Sequence, residues 1–192
     1  MEQIRSFVAI ELADNEKKAL NRMQSLLKSG GQFPVKWVDP FSVHLTLKFL
    51  GNINPDNIEQ ITGAMEEAAR GIPPLLLEIN GLGVFPNPRR VQVIWVGISG
   101  EVERLNQLQQ CIESNISPLG FPTETRQFKP HLTLGRVRER ATQEERESLG
   151  RYISAIKPAE VYNFKVDSVH LMRSQLTSEG AVYSRIGSVR LK

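Results

Sequence analysis

Residues 43–50, VHLTLKFL, and residues 131–137, HLTLGRV, carry the same tetrapeptide, His-Leu-Thr-Leu, at 44–47 and at 131–134. Both stretches read as strands, the first ending at Gly51. Successive side chains of a strand point to opposite faces. His44 and Thr46 therefore share one face and Leu45 and Leu47 the other, and His131 and Thr133 stand likewise against Leu132 and Leu134. By the same alternation Lys48 falls with His44 and Thr46, and Phe49 falls with the leucines, towards a core. Arg136 falls opposite His131 unless the strand ends or bends at Gly135.

Working outward, the first strand follows a strand at 4–12 and a helix at 14–28, for which Asp14 is a suitable N-cap. It is followed by a helix at 55–70, with Pro55 in its first turn, and a strand at 75–84. The order then repeats: a strand at 91–98, a helix at 101–114, the second His-Leu-Thr-Leu strand, and a helix at 142–157 opened by a Thr142–Glu145 capping box. A strand at 161–173 and a last one at 181–190 complete the chain. The two tetrapeptides occupy the same place in each round, which argues for an internal duplication with pseudo-two-fold symmetry. FPNPRR at 85–90 is the natural joint between the rounds. The expected fold is α+β: residues 1–192 form one compact, bilobal unit, with antiparallel sheets lining a central cleft and helices on the outside.

Composition narrows the function. The chain has 192 residues, is 40% hydrophobic, and has a net charge of +3. Residues 1–96 hold 10 basic and 10 acidic residues, and residues 97–192 hold 14 and 11. Such an excess suits a small basic cleft better than a broad nucleic-acid face. MEQIRSFVAIEL is a poor signal peptide, and no stretch approaches the roughly 20 apolar residues of a membrane span. Cys111 is the single cysteine, so an internal disulfide is excluded and a small boundary role in a helix is expected for it. These features fit a cytoplasmic protein. There is no H-E-x-x-H, no cysteine cluster, no carboxylate within the two motifs and no phosphate-binding loop of the G-x-x-x-x-G-K-S/T type, so neither a metal nor a nucleotide cofactor is expected.

One His-x-Thr on a strand is unremarkable. Two copies in equivalent places are different, because a His–Thr face is a poor core filler whose polar groups would need buried partners. If the lobes face each other, two imidazole–hydroxyl pairs converge on one cleft. Displacement at a phosphodiester needs an in-line nucleophile, a protonated leaving oxygen and donors to the equatorial oxygens. One neutral histidine can accept a proton from water while a protonated one donates to the leaving oxygen, since both forms are accessible near pH 6.5. The threonines can donate to the non-bridging oxygens.

The paired motifs resemble those of the 2H phosphoesterase superfamily. The segments RSFVAIEL (5–12), VHLTLKFLG (43–51), FKPHLTLGR (128–136) and LMRSQLTSEGAVYSRI (171–186) resemble its RNA 2′,3′-cyclic phosphodiesterase branch, also called the 2′-5′ RNA ligase family. The resemblance implies a bilobal fold with His44, Thr46, His131 and Thr133 in a central groove. It implies metal-free opening of 2′,3′-cyclic phosphates on RNA 3′ ends or nucleotides to 2′-phosphates. His44 would be the proton donor to O3′ and His131 the proton acceptor; the identical motifs themselves leave these roles open. In reverse, the same machinery would join ends through a 2′-5′ linkage.

Arg136, which the family shares, is a candidate phosphate ligand. Lys48 would add positive potential to the groove or stand solvated at its rim. Arg5 and Tyr183 match the family's first strand and C-terminal stretch and are candidates to line the groove, with an ion pair and core packing as the alternatives. His170 lacks a threonine two residues on and reads as structural or exposed. Two other functions compete: a non-catalytic nucleotide- or RNA-binding module, and a 2H enzyme acting on another diester such as 2′-5′ oligoadenylate. A monomer is expected, with no membrane partner.

Overall fold

The computed structural model describes residues 3–156, 161–178 and 180–192. The elements are β1 (Ile4–Glu11), α1 (Asp14–Ser29), β2 (Val35–Trp37), β3 (His44–Ile53), α2 (Ile58–Ala69), β4 (Leu75–Phe85), β5 (Val93–Gly100), α3 (Val102–Ile116), β6 (His131–Val137), α4 (Gln143–Ala155), β7 (Tyr162–Val166), β8 (Ser168–Leu176) and β9 (Ala181–Arg190). The fold is α+β. Its strands form two sheets, in the orders β3-β1-β8-β9 and β2-β6-β5-β4-β7. Every ladder is antiparallel.

The duplication is visible in these orders. β3-β1-β8 in one sheet corresponds to β6-β5-β4 in the other. β1 and β3 of the first repeat stay together while its β4 joins the other sheet, and β5 and β6 of the second stay together while its β8 joins the first. The joint expected at 85–90 is therefore corrected: Phe85 pairs with Val93, so these residues form the hairpin connection of β4 and β5 inside one sheet. The helices cross over as well. α1 reaches the second sheet, where Gln24 Nε2 donates to the Leu134 carbonyl at 2.9 Å. α3 lies against β3, where Gln109 Nε2 donates to the Leu47 carbonyl at 3.4 Å.

The inward leucines of both motifs join one contiguous apolar core with the helices. A separate small cluster, Phe7, Ala9 and Met172 with Tyr183, lies on the other face of the first sheet. The expected strand at 161–173 is two strands. β7 pairs with β4 and β8 with β1, so the chain passes between sheets at Asp167. Ala13, without a side-chain bond, is the N-cap of α1, and Asp14 is its first helical residue, where a carboxylate complements the helix dipole. The Thr142–Glu145 capping box is present in full; residue 157, the expected end of that helix, lies outside the described residues. β2 has three residues, too few to show a period in sequence.

Candidate active site

The carbonyl of Ser42 lies 3.0 Å from His44 Nδ1, and that of Lys129 lies 2.6 Å from His131 Nδ1. A carbonyl only accepts, so Nδ1 carries the proton in both rings. Nε2 is then the free nitrogen of each neutral imidazole, and in each motif the ring is oriented by the backbone two residues upstream. Neither Thr46 nor Thr133 bonds through its hydroxyl to another described residue. Both are half-buried and free to donate.

Both motif strands are bulged at the fourth motif residue. On β3, Thr46 pairs with Ala9 and Lys48 with Val8, leaving Leu47 as the extra residue. On β6, Thr133 pairs with Trp95 and Gly135 with Ile94, leaving Leu134 extra. An extra residue reverses the face on which later side chains emerge. It also frees a carbonyl from the ladder. Gln24 and Gln109, each on a helix from the other repeat, are bonded to those carbonyls.

The reversal decides three side chains. Arg136 pairs with Val93, two residues from Trp95, and so emerges on the face of His131 and Thr133, where it is exposed. Phe49, expected in the core, is corrected: it pairs with Phe7 on the His44 face and is 72% exposed. Lys48, expected on the His44 face, is also corrected. It points to the helix side, is 4% exposed, and bonds Glu113 of α3 at 2.5 Å and the Pro122 carbonyl at 2.9 Å. Glu113 in turn accepts from Glu124 N at 3.4 Å. Lys48 thus ties the first motif strand to α3 and to the segment leading into His131. At the matching place on β6 stands Gly135, where a Cβ would lie 2.6 Å from Val35 Cγ1; a side chain there would push away the edge strand β2.

The two rings have different neighbours. Phe7 stacks on His44 with centroids 4.6 Å apart, and Tyr183 meets it edge-on at 4.8 Å. Glu11, paired with His44 across the ladder, is held by Arg185 Nε at 2.8 Å. Burial pulls His44 below its ordinary 6.5, against the Ser42 carbonyl and the Glu11 carboxylate, which favour the imidazolium. His131 is met edge-on by Phe85 at 5.0 Å and by Trp95 at 6.2 Å.

Tyr183 is therefore beside His44. Arg5 shares the face of Phe7 but pairs with Asn52, six residues along β1 from Glu11, or about 20 Å of strand, at the Phe49 end. His170 is buried, pairs with Ala9, and lies 3.8 Å from Glu11 Oε2. Phe7, Glu11 and the two glutamines carry no motif signal; alternation along β1 from a known His44 partner would have marked the first two. Among the described residues no three His, Cys, Asp or Glu side chains are grouped to hold a metal ion, and no helix is long and apolar enough to cross a membrane.

The family model LigT like Phosphoesterase matches the chain twice, over residues 10–95 and 96–183, one match per repeat. The RNA 2′,3′-cyclic phosphodiesterase of Methanothermobacter thermautotrophicus is 34% identical, over 98% of this chain and all of that protein. The protein of the same name from Thermotoga maritima is 32% identical, over 94% and 91%. Among solved structures, the protein TT0787 of Thermus thermophilus superposes with a TM-score of 0.78 at 25% identity, covering 98% of both chains. LigT of E. coli complexed with 3′-AMP superposes at 0.80 with 21% identity, over 100% of this chain and 99% of that one, a likeness of fold. With matched repeats that span most of its length and relatives aligned from end to end, the chain belongs to the LigT-like phosphoesterase family.

Proposed function

We propose that the protein hydrolyses the 2′,3′-cyclic phosphate of RNA 3′ ends or nucleotides to a 2′-phosphomonoester, without a metal, by acid–base catalysis from two histidines. The observation that carries this is the pairing, on each motif strand, of an imidazole whose Nδ1 is bonded to a carbonyl with a threonine hydroxyl that has no partner among the described residues. The relatives named RNA 2′,3′-cyclic phosphodiesterase support the substrate.

Water attacks phosphorus in line with O3′ while His131 Nε2 takes its proton. The P–O3′ bond breaks and His44 Nε2 gives its proton to O3′. Thr46 and Thr133 donate to the non-bridging oxygens, and the Arg136 guanidinium offsets the phosphate charge. Exchange with solvent restores both imidazoles. Read in reverse, a 5′-hydroxyl replaces water and a 2′-5′ linkage forms. Phe49 offers an exposed ring on the same wall for a base to stack against. Both half-sites lie on one chain, so a monomer suffices.

A second assignment exchanges the histidines. It is favoured by the lowered His44, which is neutral in the free protein at pH 7 and suited to take a proton. In the first assignment the anionic substrate must restore the His44 proton on binding.

Incubation with adenosine 2′,3′-cyclic phosphate and EDTA tests the activity: 2′-monophosphate is expected, with turnover lost in His44→Ala and in His131→Ala. A 3′-phosphate product, or turnover surviving in the double variant, overturns it. Titration of the His44 ring by NMR, free and with 2′-AMP, separates the assignments: a rise above 6.5 on binding supports His44 as donor, and no rise supports the exchange.

A further inference from the structure

Lys36, Arg136, Arg138 and Arg140 line one open depression of about 430 Å³ with Val137 and a single carboxylate, Glu139. All four cations are exposed, and among the described residues none has an ion pair or a side-chain hydrogen bond. Like charges gathered this closely repel one another, and an anion of matching length relieves them. The depression begins at the proposed reaction centre. The bulge at Leu134 sets Arg136 on the face of His131 and Thr133, and Lys36 pairs with Arg136 across the ladder, on the same face. Arg138 follows one extended step of two residues, about 6–7 Å, beyond Arg136, and Arg140 stands in the turn that Ala141 N closes by donating to the Arg138 carbonyl at 3.0 Å.

The frame beneath these cations is fixed. Arg138 N donates to the Pro34 carbonyl at 2.7 Å. The Arg146 guanidinium, from α4, donates to the carbonyls of Val91 (2.7 Å), Arg138 (3.1 Å), Ala141 (3.3 Å) and Glu139 (3.4 Å). A site whose backbone is already ordered loses less entropy when it takes up a ligand.

A mononucleotide has one phosphate for the motif and Arg136, which leaves three cations with nothing to neutralise. A strand with a phosphate at every residue uses them all. We infer that Lys36, Arg138 and Arg140 bind successive backbone phosphates of an RNA strand on the 5′ side of its terminal cyclic phosphate, so that oligonucleotides rather than mononucleotides are the preferred substrate. The inference rests on the proposed phosphodiesterase activity for where the strand ends. Backbone contacts carry no sequence information, so the path is tolerant of base sequence.

The test combines Lys36→Ser, Arg138→Ser and Arg140→Ser and leaves Arg136 and the motifs intact, with the thermal midpoint confirming the fold. Binding of a fluorescein-labelled RNA of about 10 nucleotides is followed by anisotropy against salt. Each single-strand phosphate contact contributes about 0.7 to the slope of log affinity against log salt, so the variant's slope is expected to be shallower by about 2. Its kcat/KM should fall roughly tenfold or more on an oligonucleotide ending in a cyclic phosphate and stay within about twofold on the cyclic mononucleotide. An unchanged slope and affinity overturn the path, as when the cations serve an acidic protein instead. Equal losses on both substrates also overturn it, because the cations then act on the terminal phosphate. If the native protein turns over neither substrate, the phosphodiesterase proposal fails, and the salt slope alone still decides whether the path exists.

Discussion

His44 and His131 stand in identical tetrapeptides on strands with the same bulge, yet their surroundings differ in kind. His44 lies between Phe7 and Tyr183, with a carboxylate across the ladder and burial that disfavours its charge. His131 meets the rings of Phe85 and Trp95 at steep angles. Five residues beyond each histidine, on the same face as it, one strand presents the ring of Phe49 and the other the guanidinium of Arg136. Duplication supplied two equal frames, and the residues around them made one half apolar and the other cationic. A substrate with a base at one end and phosphate at the other suits that division.

The largest expected effect removes the frames' shared chemistry. His44→Ala and His131→Ala should each lower kcat by about 10²–10⁴-fold, the range for a general acid or base, with the thermal midpoint preserved. If the double variant loses much more than either single one, the two halves act independently and the concerted scheme is broken.

Lys48→Met should be the most destabilising change next to the site, by about 3–5 kcal/mol in denaturant unfolding, because it leaves Glu113 buried and unpaired. Combining it with Glu113→Leu should recover most of that loss. No recovery would mean that Lys48 acts by something other than neutralising Glu113.

The glutamines sharpen the symmetry. Gln24→Leu removes the side-chain donor from the Val38 carbonyl and one of two donors from the Leu134 carbonyl, which keeps Val38 N at 2.9 Å, and Gln109→Leu removes the side-chain donor from the Leu47 carbonyl, each at about 1–3 kcal/mol. Gln24 should be the larger, since it donates at 2.7 and 2.9 Å while Gln109 donates at 3.3 and 3.4 Å. A split of KM from kcat in the same variants reads positioning: the threonine ahead of each bulge shifts, so kcat should fall more than KM rises.

The smallest effect is on stability against pH. The folded state lowers His44, so the unfolded chain binds more protons below 6.5. The contribution is complete above that pH and is lost as pH falls through the window beneath it. His170 is lowered too, first by burial and then by Arg185, and adds the same sign. His44→Gln should remove its part of the acid-side slope in unfolding free energy, and His170→Gln the remainder. A slope that survives both changes belongs to other groups.

Most elements were legible because their signals are local: periodic apolar faces, the Thr142–Glu145 box, and strands that alternate. The errors have two causes. Counting in twos across Leu47 puts Lys48 and Phe49 on the wrong faces, and the same count across Leu134 puts Arg136 opposite His131 unless the strand ends or bends at Gly135. The single strand read at 161–173 and the joint read at 85–90 both assume that neighbours in sequence remain in one lobe. The exchange of third strands between sheets breaks that assumption.

The sequence by itself determined the duplication, the strand and helix order, and which imidazoles and hydroxyls share a face, because a period of two or 3.6 and a repeated motif are properties of a chain read in order. Only the tertiary structure decided where each strand breaks its period. A bulge forms where pairing with β1 or β5 and a buried glutamine from the other repeat accommodate one extra residue, and those partners lie far away along the chain. That displacement of one residue sent Lys48 into a buried ion pair and brought Phe49 and Arg136 to the faces of His44 and His131.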